Sequence, residues 1–457
     1  MSKLDQYTTI FSDYAWGMPL LILLIGGGLF FLIYSRFAPF LYLGHAVNVL
    51  RGKYDDPDSP GDINHFQALS TALAATVGMG NIAGVAVAIT TGGPGAIFWM
   101  WISATVGMAT KFFTCTLAIM FRGKDSLGHI QGGPMYVIRE GLGKKWQPLA
   151  VFFSLAGLIG CLPLFQANQL RESVFQVFLA PAGIEDSTNL RLIIGTGMAL
   201  VVGLVIFGGI KRIGNVAAKM VPAMVLLYVG SVLTIILLNA DKIGETFGLI
   251  FSDAFTGSAV LGGALGELIR TGVKRAAFSN EAGIGTAPMA HGAAKTEVPI
   301  REGLIAMMGP FIDTIVVCTM TALALIITGA WSSGNTQGIS VTLQAFEIGL
   351  PGVGSYLLML CGAIFALTTL FSYSYYGGKC LGYLVGAQNQ HWYNYFYVAS
   401  IVFGSVVSIT SVINIIDGMF ALMAIPTMLS TIMLSPKVAS AAKIYFQELK
   451  LENKMMR

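Results

Sequence analysis

Gly78-Met79-Gly80-Asn81 and Gly283-Ile284-Gly285-Thr286 lie 205 positions apart, each inside an apolar stretch long enough to form one membrane-spanning helix. Glycine admits the backbone angles that unwind a helix. In a bilayer core the freed N–H and C=O groups have no water to bind, so a break persists only where it lines a cavity or holds a ligand. Two breaks in matching positions of two halves point to a solute site, with N–H donors for an anionic group and carbonyls for a cation. The alternative use of these glycines is close helix packing, which Gly80 and Gly84 would also serve.

The elements that carry the breaks follow from composition. Of 457 residues 55% are hydrophobic and 11% charged, against roughly 25% charged in a soluble domain. The chain therefore reads as an all-α polytopic membrane protein. Spans of about 20 apolar residues are expected at 16–36, 67–92, 95–121, 148–180, 189–209, 214–240, 256–292 (interrupted), 302–329, 352–386, 393–414 and 416–436, eleven in all. Met1 to Trp16 lacks the basic start and early apolar run of a cleaved signal peptide, so the first helix is expected to stay. Cys115, Cys161, Cys318, Cys361 and Cys380 fall singly inside spans and read as buried thiols rather than a disulfide or metal framework.

Lys and Arg concentrate in alternate connections. Arg36, Arg51 and Lys53, then Arg122 to Lys145, Lys211 to Lys219, Lys295 with Arg301, Lys379, and the tail from Lys437 hold 19 of the 27 cations. The opposite side holds Lys3, Arg191 and Lys242. Because such connections face the cytoplasm, the expectation is a cell-membrane protein with its N-terminus outside and its C-terminus inside. The excess cations anchor to membrane lipid, and no basic patch suggests nucleic acid. Residues 1–65 form a lead helix and linker, 66–250 and 251–436 two five-helix sets, and 437–457 a basic tail. Five is odd, so the sets are inverted relative to each other, each opening with its discontinuous helix. The connection 122–147 is read as a surface segment containing a short amphipathic helix.

Gly92-Gly93-Pro94-Gly95-Ala96-Ile97-Phe98-Trp99-Met100-Trp101, followed by Ser103 and Gly107, resembles the signature of the alanine or glycine:cation symporters. Gly132 to Tyr136, Phe278 to Gly285 and Ala290 to Thr296 resemble the same family, so the likeness spans nearly the whole chain. More distantly, Val77-Gly78-Met79-Gly80-Asn81 is similar to the first broken helix of neurotransmitter-type sodium symporters, which share a five-plus-five inverted-repeat fold. The resemblance implies a secondary transporter, not an enzyme, taking up a small neutral amino acid such as alanine or glycine with Na⁺. A proton-coupled transporter and a non-transporting amino-acid sensor of the same fold are the alternatives.

A zwitterion needs donors for its carboxylate and acceptors for its ammonium, and unwound backbone supplies both. The N–H groups of Gly78, Met79, Gly80 and Asn81 open a half-helix whose positive end favours a carboxylate by up to about 2 kcal/mol. The carbonyls of Ala75, Thr76, Phe278 and Ser279 are candidates for the ammonium. By the resemblance, Na⁺ would take the carbonyls of Ala74, Val77 and Phe365 and the hydroxyls of Thr368 and Thr369, unless those hydroxyls bond only their own helix. Gly283, Ile284, Phe165, Gln166, Thr369 and Tyr373 are placed at the substrate, with bulk that favours small ligands. Gln166, Asn168 and Gln169 suit an interhelical hydrogen bond as well as ligand contact, and Phe278 suits a gate as well as core packing.

Charges inside spans are costly, roughly 2.5 to 3.5 kcal/mol each at mid-helix. They are Lys111, Arg171, Glu172, Glu267, Arg270, Lys274, Arg275, Glu281 and Asp313. Arg270, Lys274 and Arg275 share a helical face, and either pairing with Glu267, Glu281, Glu172 or Asp313 or an open aqueous vestibule is expected to accommodate them; a gating or proton-coupling carboxylate is the other use. No nucleotide-binding loop, zinc motif or nucleophile elbow occurs, and the five histidines are dispersed. A channel would repeat filter residues across subunits, whereas this pseudo-repeat lies within one chain.

Overall fold

The computed structural model describes residues 3–255, 264–332 and 338–455. Its elements in chain order are α1 (Lys3–Ala15), α2 (Met18–Tyr34), α3 (His65–Thr76), α4 (Gly80–Gly92), α5 (Ala96–Met120), α6 (Gln147–Gly160), α7 (Leu164–Val174), α8 (Thr188–Ile206) and α9 (Gly209–Leu238). They continue with α10 (Ile243–Phe255), α11 (Ala264–Asn280), α12 (Ala287–His291), α13 (Pro299–Ile327), α14 (Ile339–Gly349), α15 (Gly354–Val385), α16 (Trp392–Val406) and α17 (Ile409–Met455). The start of the span expected at 256–292 lies outside the described residues.

Among the described residues seven helices are long and apolar enough to cross a bilayer, and two bent pairs, α1 with α2 and α3 with α4, raise the number to nine. The described parts of the two other expected spans are helical but fall short of that standard. α16 has 15 residues, about 22 Å of helix, and α11 carries the basic residues before the second break.

Both glycine breaks are present. Asn64 and Gln67 cap α3 reciprocally, the Asn64 side chain accepting from the Gln67 N–H at 2.8 Å and the Gln67 side chain from the Asn64 N–H at 3.1 Å. α3 ends at Thr76, Val77 is extended, and α4 resumes with a π-turn over Gly80–Gly84, its axis bent by 51°. At the second break α11 ends at Asn280. Glu281, Gly283 and Gly285 then take φ of 55°, 86° and 105° before α12 begins.

The span expected at 148–180 is present as one span, Lys144–Leu179, with its helical ladder interrupted at residues 161–163 between α6 and α7, because Pro163 has no N–H to continue it. Two expectations are corrected. The connection 122–147 holds a β-hairpin, β1 (Gly123–Lys124) against β2 (Ile130–Gln131), before the expected short helix, Pro134 to Leu142, whose residues 134–138 are buried rather than on the surface. The last span does not stop at 436. α17 runs 47 residues through Pro426, Pro436 and most of the basic tail.

Candidate transport site between the broken helices

Asn81 stands where the two halves meet. Its Oδ1 accepts from the Gly78 N–H at 2.8 Å, and its Nδ2 donates to Asp313 Oδ1 at 2.7 Å and to Ser279 Oγ at 3.1 Å. One carboxamide therefore links the first break to Ser279 of α11 and to α13, and its orientation is fixed by having a carboxylate on one side and an N–H on the other. Asp313 lies in a π-turn of α13, where its Oδ2 accepts from Ser279 Oγ and Thr314 Oγ1, both at 2.8 Å. Thr321 Oγ1 donates to the Asn81 carbonyl at 2.7 Å and meets Tyr228 OH of α9 at 2.7 Å. Asn81 and Asp313 are fully buried. The network is satisfied throughout by acceptors and donors of opposite kind, so it rigidifies the break.

Gly78 faces α15. A Cβ built on it would lie 2.4 Å from Thr369 Oγ1 and 3.6 Å from the Phe365 carbonyl oxygen. Thr368 and Thr369 both donate to the Phe365 carbonyl at 3.0 Å, and Thr368 also reaches the Ile364 carbonyl at 3.0 Å. The back-bonding alternative is thus realised, and it leaves the lone pairs of both hydroxyls to accept a cation. Ala74 and Val77 are fully buried, and Ala75 and Thr76 nearly so. Met79 turns away from the α11 contact, its Cε 3.3 Å from a Cβ built on Gly362 of α15.

Gly80 faces α11, where an added Cβ would meet the Phe278 ring at 3.4 Å and Ser279 Cα at 3.6 Å. Phe278 stacks edge-on against Phe165 at 4.9 Å between centroids and carries Arg275 over its face at 5.0 Å. Gln166 is buried beside Phe165 on α7, while Asn168 and Gln169 are structural. Asn168 donates to the carbonyls of Gly404 and Val407 at 3.1 and 2.8 Å, and Gln169 accepts from the Ile339 N–H at 2.9 Å.

The second break's own residues point elsewhere. A Cβ on Gly283 would meet Leu24 of α2 and Met428 of α17, and the Ile284 carbonyl accepts from Thr427 Oγ1 at 3.1 Å. Glu281 is closed off by hydrogen bonds from Thr286 Oγ1 and Tyr373 OH. The residues of α11 that reach the first break are Phe278 and Ser279, before the glycines. The N–H groups of Gly78 and Asn81, expected for a carboxylate, are engaged by Asn81 Oδ1 and by the Gly78 carbonyl at 3.1 Å.

Pairing of the basic face of α11 is corrected too. Arg270 meets Glu267 at 3.0 Å, as expected, but also Asp13 at 3.1 Å, and both Lys274 (3.1 Å) and Arg275 pair with Asp417 of α17. Asp417 sits at the edge of an apolar run, and only the packing of α17 on α11 reveals its partner. Asp313 was legible as an intramembrane charge, but its place at the first break was not.

Three comparisons bear on this geometry. A profile described as the sodium:alanine symporter family matches residues 1–457. The sodium/alanine symporter AgcS of Methanococcus maripaludis is 41% identical over 451 residues, covering 97% of each chain. The probable sodium/glutamine symporter GlnT of Bacillus subtilis is 35% identical over 451 residues, 98% of this chain and 92% of its own. Among solved structures, MhsT in complex with L-phenylalanine matches with a TM-score of 0.58 at 13% identity, over 84% of this chain and 99% of that one. The fold is therefore shared with MhsT, and the expected all-helical polytopic membrane architecture holds.

Proposed function

We propose, for a chain that belongs to the sodium:alanine symporter family, that it imports alanine and other small neutral amino acids, glycine included, with Na⁺ by alternating access. As a family member it is a secondary transporter and not an enzyme. One observation carries the finer reading: the first break is pressed against oxygen-rich positions of α15 on one side, through Gly78, and against Phe278 and Ser279 on the other, through Gly80.

In this reading the cation is held by the carbonyls of Ala74, Val77 and Phe365 and the hydroxyls of Thr368 and Thr369, five neutral oxygens for a monovalent ion. The amino acid lies along residues 75–81 with Ser279, its carboxylate drawn to the positive end of α4. Engaging the Gly78 N–H requires it to displace Asn81 Oδ1. Phe165 and Phe278, locked edge to face, limit the side chain. A surplus methylene there discriminates by only about 1 to 3 kcal/mol, so alanine, glycine and serine overlap. One Na⁺ with a zwitterion moves one charge, worth about 2.3 kcal/mol per 100 mV.

The buried carboxylates Glu281 and Asp313 favour proton coupling as the second reading. Uptake into proteoliposomes, with Na⁺ and pH gradients imposed separately, tests both. Accumulation of labelled alanine against its gradient under inward Na⁺ alone is expected. Accumulation that follows only a proton gradient replaces the first reading by the second, and no accumulation under either overturns transport.

A further inference from the structure

The face that bears most of the Lys and Arg connections holds a buried titratable cluster that the transport site does not use. Glu302, in the first turn of α13, is fully buried with one imidazole on each carboxylate oxygen: His291 Nδ1 lies 2.5 Å from Oε1, and His65 Nδ1 bonds Oε2. His65 opens α3, the half-helix leading to the first break, and His291 closes α12, the half-helix leaving the second. The backbone ties the same segments together. The N–H groups of Asp62 and Ile63 donate to the Ala293 carbonyl at 2.8 and 3.2 Å, and the Lys295 N–H donates to the Ile63 carbonyl at 2.7 Å. Arg122, just past α5, clasps both by donating to the carbonyls of Pro60, Gly292, Ala294 and Thr296.

Both histidines keep Nε2 buried and without a hydrogen-bond partner. With Nδ1–H given to a carboxylate, each Nε2 keeps a lone pair that can take a proton. With both rings neutral the buried trio carries one negative charge; one proton at either Nε2 makes it neutral.

We propose that His65, Glu302 and His291 form a proton-binding site that locks this face, a single proton holding α3 and α12 together and its loss letting them part. The inference rests on the alternating-access reading, in which the two broken helices must separate at this face to release solute. The proton comes from the solution on this side and returns to it when the lock opens and the imidazoles are hydrated.

The other titratable groups around the cluster are Asp55 before α3, Arg301 on α13, Arg122 and the Cys115 thiol on the α5 side, with Asp62 beside Arg122, and Lys379 of α15, which donates to the Met289 carbonyl at 2.9 Å. Asp55 and Asp62 are exposed. Three further imidazoles lie on this face: His45, on the short helix Leu43–Leu50, pairs with Tyr445 OH at 2.7 Å, His129 lies 3.7 Å from Asp125, and His391 Nδ1 lies 2.9 Å from the Gln388 carbonyl. Imidazoles change charge between pH 6 and 8 and the buried Lys379 amine stands beside the cluster, so His45, His129, His391 and Lys379, each substituted singly, are the controls.

The test uses the full chain in proteoliposomes, with pH varied only in the compartment that the basic face meets. Initial Na⁺-driven alanine uptake is expected to fall as that compartment goes from pH 8 to 6, by at most tenfold per pH unit for one proton. The double variant His65→Gln/His291→Gln should flatten the profile while still accumulating alanine, and His45→Gln, His129→Gln, His391→Gln and Lys379→Gln should each keep the wild-type slope. An unchanged slope in the double variant overturns the proton site. Hydrogen exchange of residues 60–76 and 287–296, corrected for intrinsic pH dependence, gives a readout without transport: opening should rise from pH 6 to 8 in the wild type. If the wild type does not accumulate alanine, the transport reading fails, and the exchange profile still decides the lock. Should the double variant not assemble, wild-type opening that ignores pH overturns it as well.

Discussion

Gly78 and Thr369 approach so closely that a Cβ on the glycine would sit 2.4 Å from the threonine hydroxyl oxygen. Gly78 does not use the left-handed conformation, so space alone reserves the position for glycine. Gly78→Ala should destabilise the protein by about 1 to 3 kcal/mol through overpacking and abolish alanine uptake. Gly80→Ala, whose Cβ would meet Phe278 at an ordinary 3.4 Å, should retain a folded protein with weakened substrate affinity. Melting temperatures and uptake of the pair check this; equal tolerance of both substitutions would contradict the apposition of α3 and α4 on α15.

Thr368→Ala and Thr369→Ala each remove one oxygen of the proposed cation site while leaving the Phe365 carbonyl in place. A hydrogen bond or ligand contact to a charged group is worth about 1.5 to 3 kcal/mol, so each should raise the half-saturating Na⁺ concentration by about tenfold or more. Substrate affinity at saturating Na⁺ should change less. An unchanged Na⁺ curve in both variants refutes the site.

The first break was legible because glycine, the following asparagine and the apolar flanks act within one stretch of chain. The second was legible in position but not in use. Gly283 and Gly285 serve backbone angles, φ 86° and 105°, and face α2, α6 and α17 rather than the first break. What sequence could not give was long-range: Asp313 on Asn81, Asp417 on Arg275 and Glu302 between two histidines join residues more than 10 and up to 237 positions apart. Residues 161–163 were missed because one proline in an apolar run does not by itself distinguish a kink from a break.

Asn81→Ala would strand the Gly78 N–H and remove a donor from Asp313 in one step. Leaving a buried group unsatisfied costs about 1 to 3 kcal/mol, more for a charged one. Expression and uptake should both fall. Asp313→Asn keeps the shape but lets the Asn81 amide flip, so it should fold and lose most transport. Wild-type uptake in Asp313→Asn would show that the orientation of the Asn81 amide is not required.

Asp186, between α7 and α8, is held below the usual carboxylate range chiefly by hydrogen bonding from Arg191, at 2.9 Å, with Arg171 adding its charge. A lowered carboxylate contributes stability fully above its unfolded value of about 3.9 and loses it as pH falls through the folded one. Melting of wild type and Asp186→Asn should therefore differ by the same amount at pH 6 and pH 8. A difference that grows across that window would place a different group in control of this loop.

Arg275 and Asp417 join α11 to α17 almost out of reach of solvent, at 4% and 0% exposure, with Lys274 on the same carboxylate and the Trp16 indole donating to the Asp417 carbonyl at 2.8 Å. Removing one partner leaves a buried charge uncompensated, which costs about 3 to 5 kcal/mol, whereas replacing both with apolar residues is often near neutral. Asp417→Asn should lower the melting temperature sharply, and Arg275→Met/Asp417→Leu should recover most of the loss, since Lys274 is partly exposed and can reach water. The pair also sets Phe278, because Arg275 lies over its ring and that ring rests on Gly80. The double variant should accordingly stay folded yet take amino acids larger than serine more readily than the wild type does. If it melts like the wild type and keeps the same substrate range, Phe278 is positioned by Phe165 alone and the ion pair is purely structural.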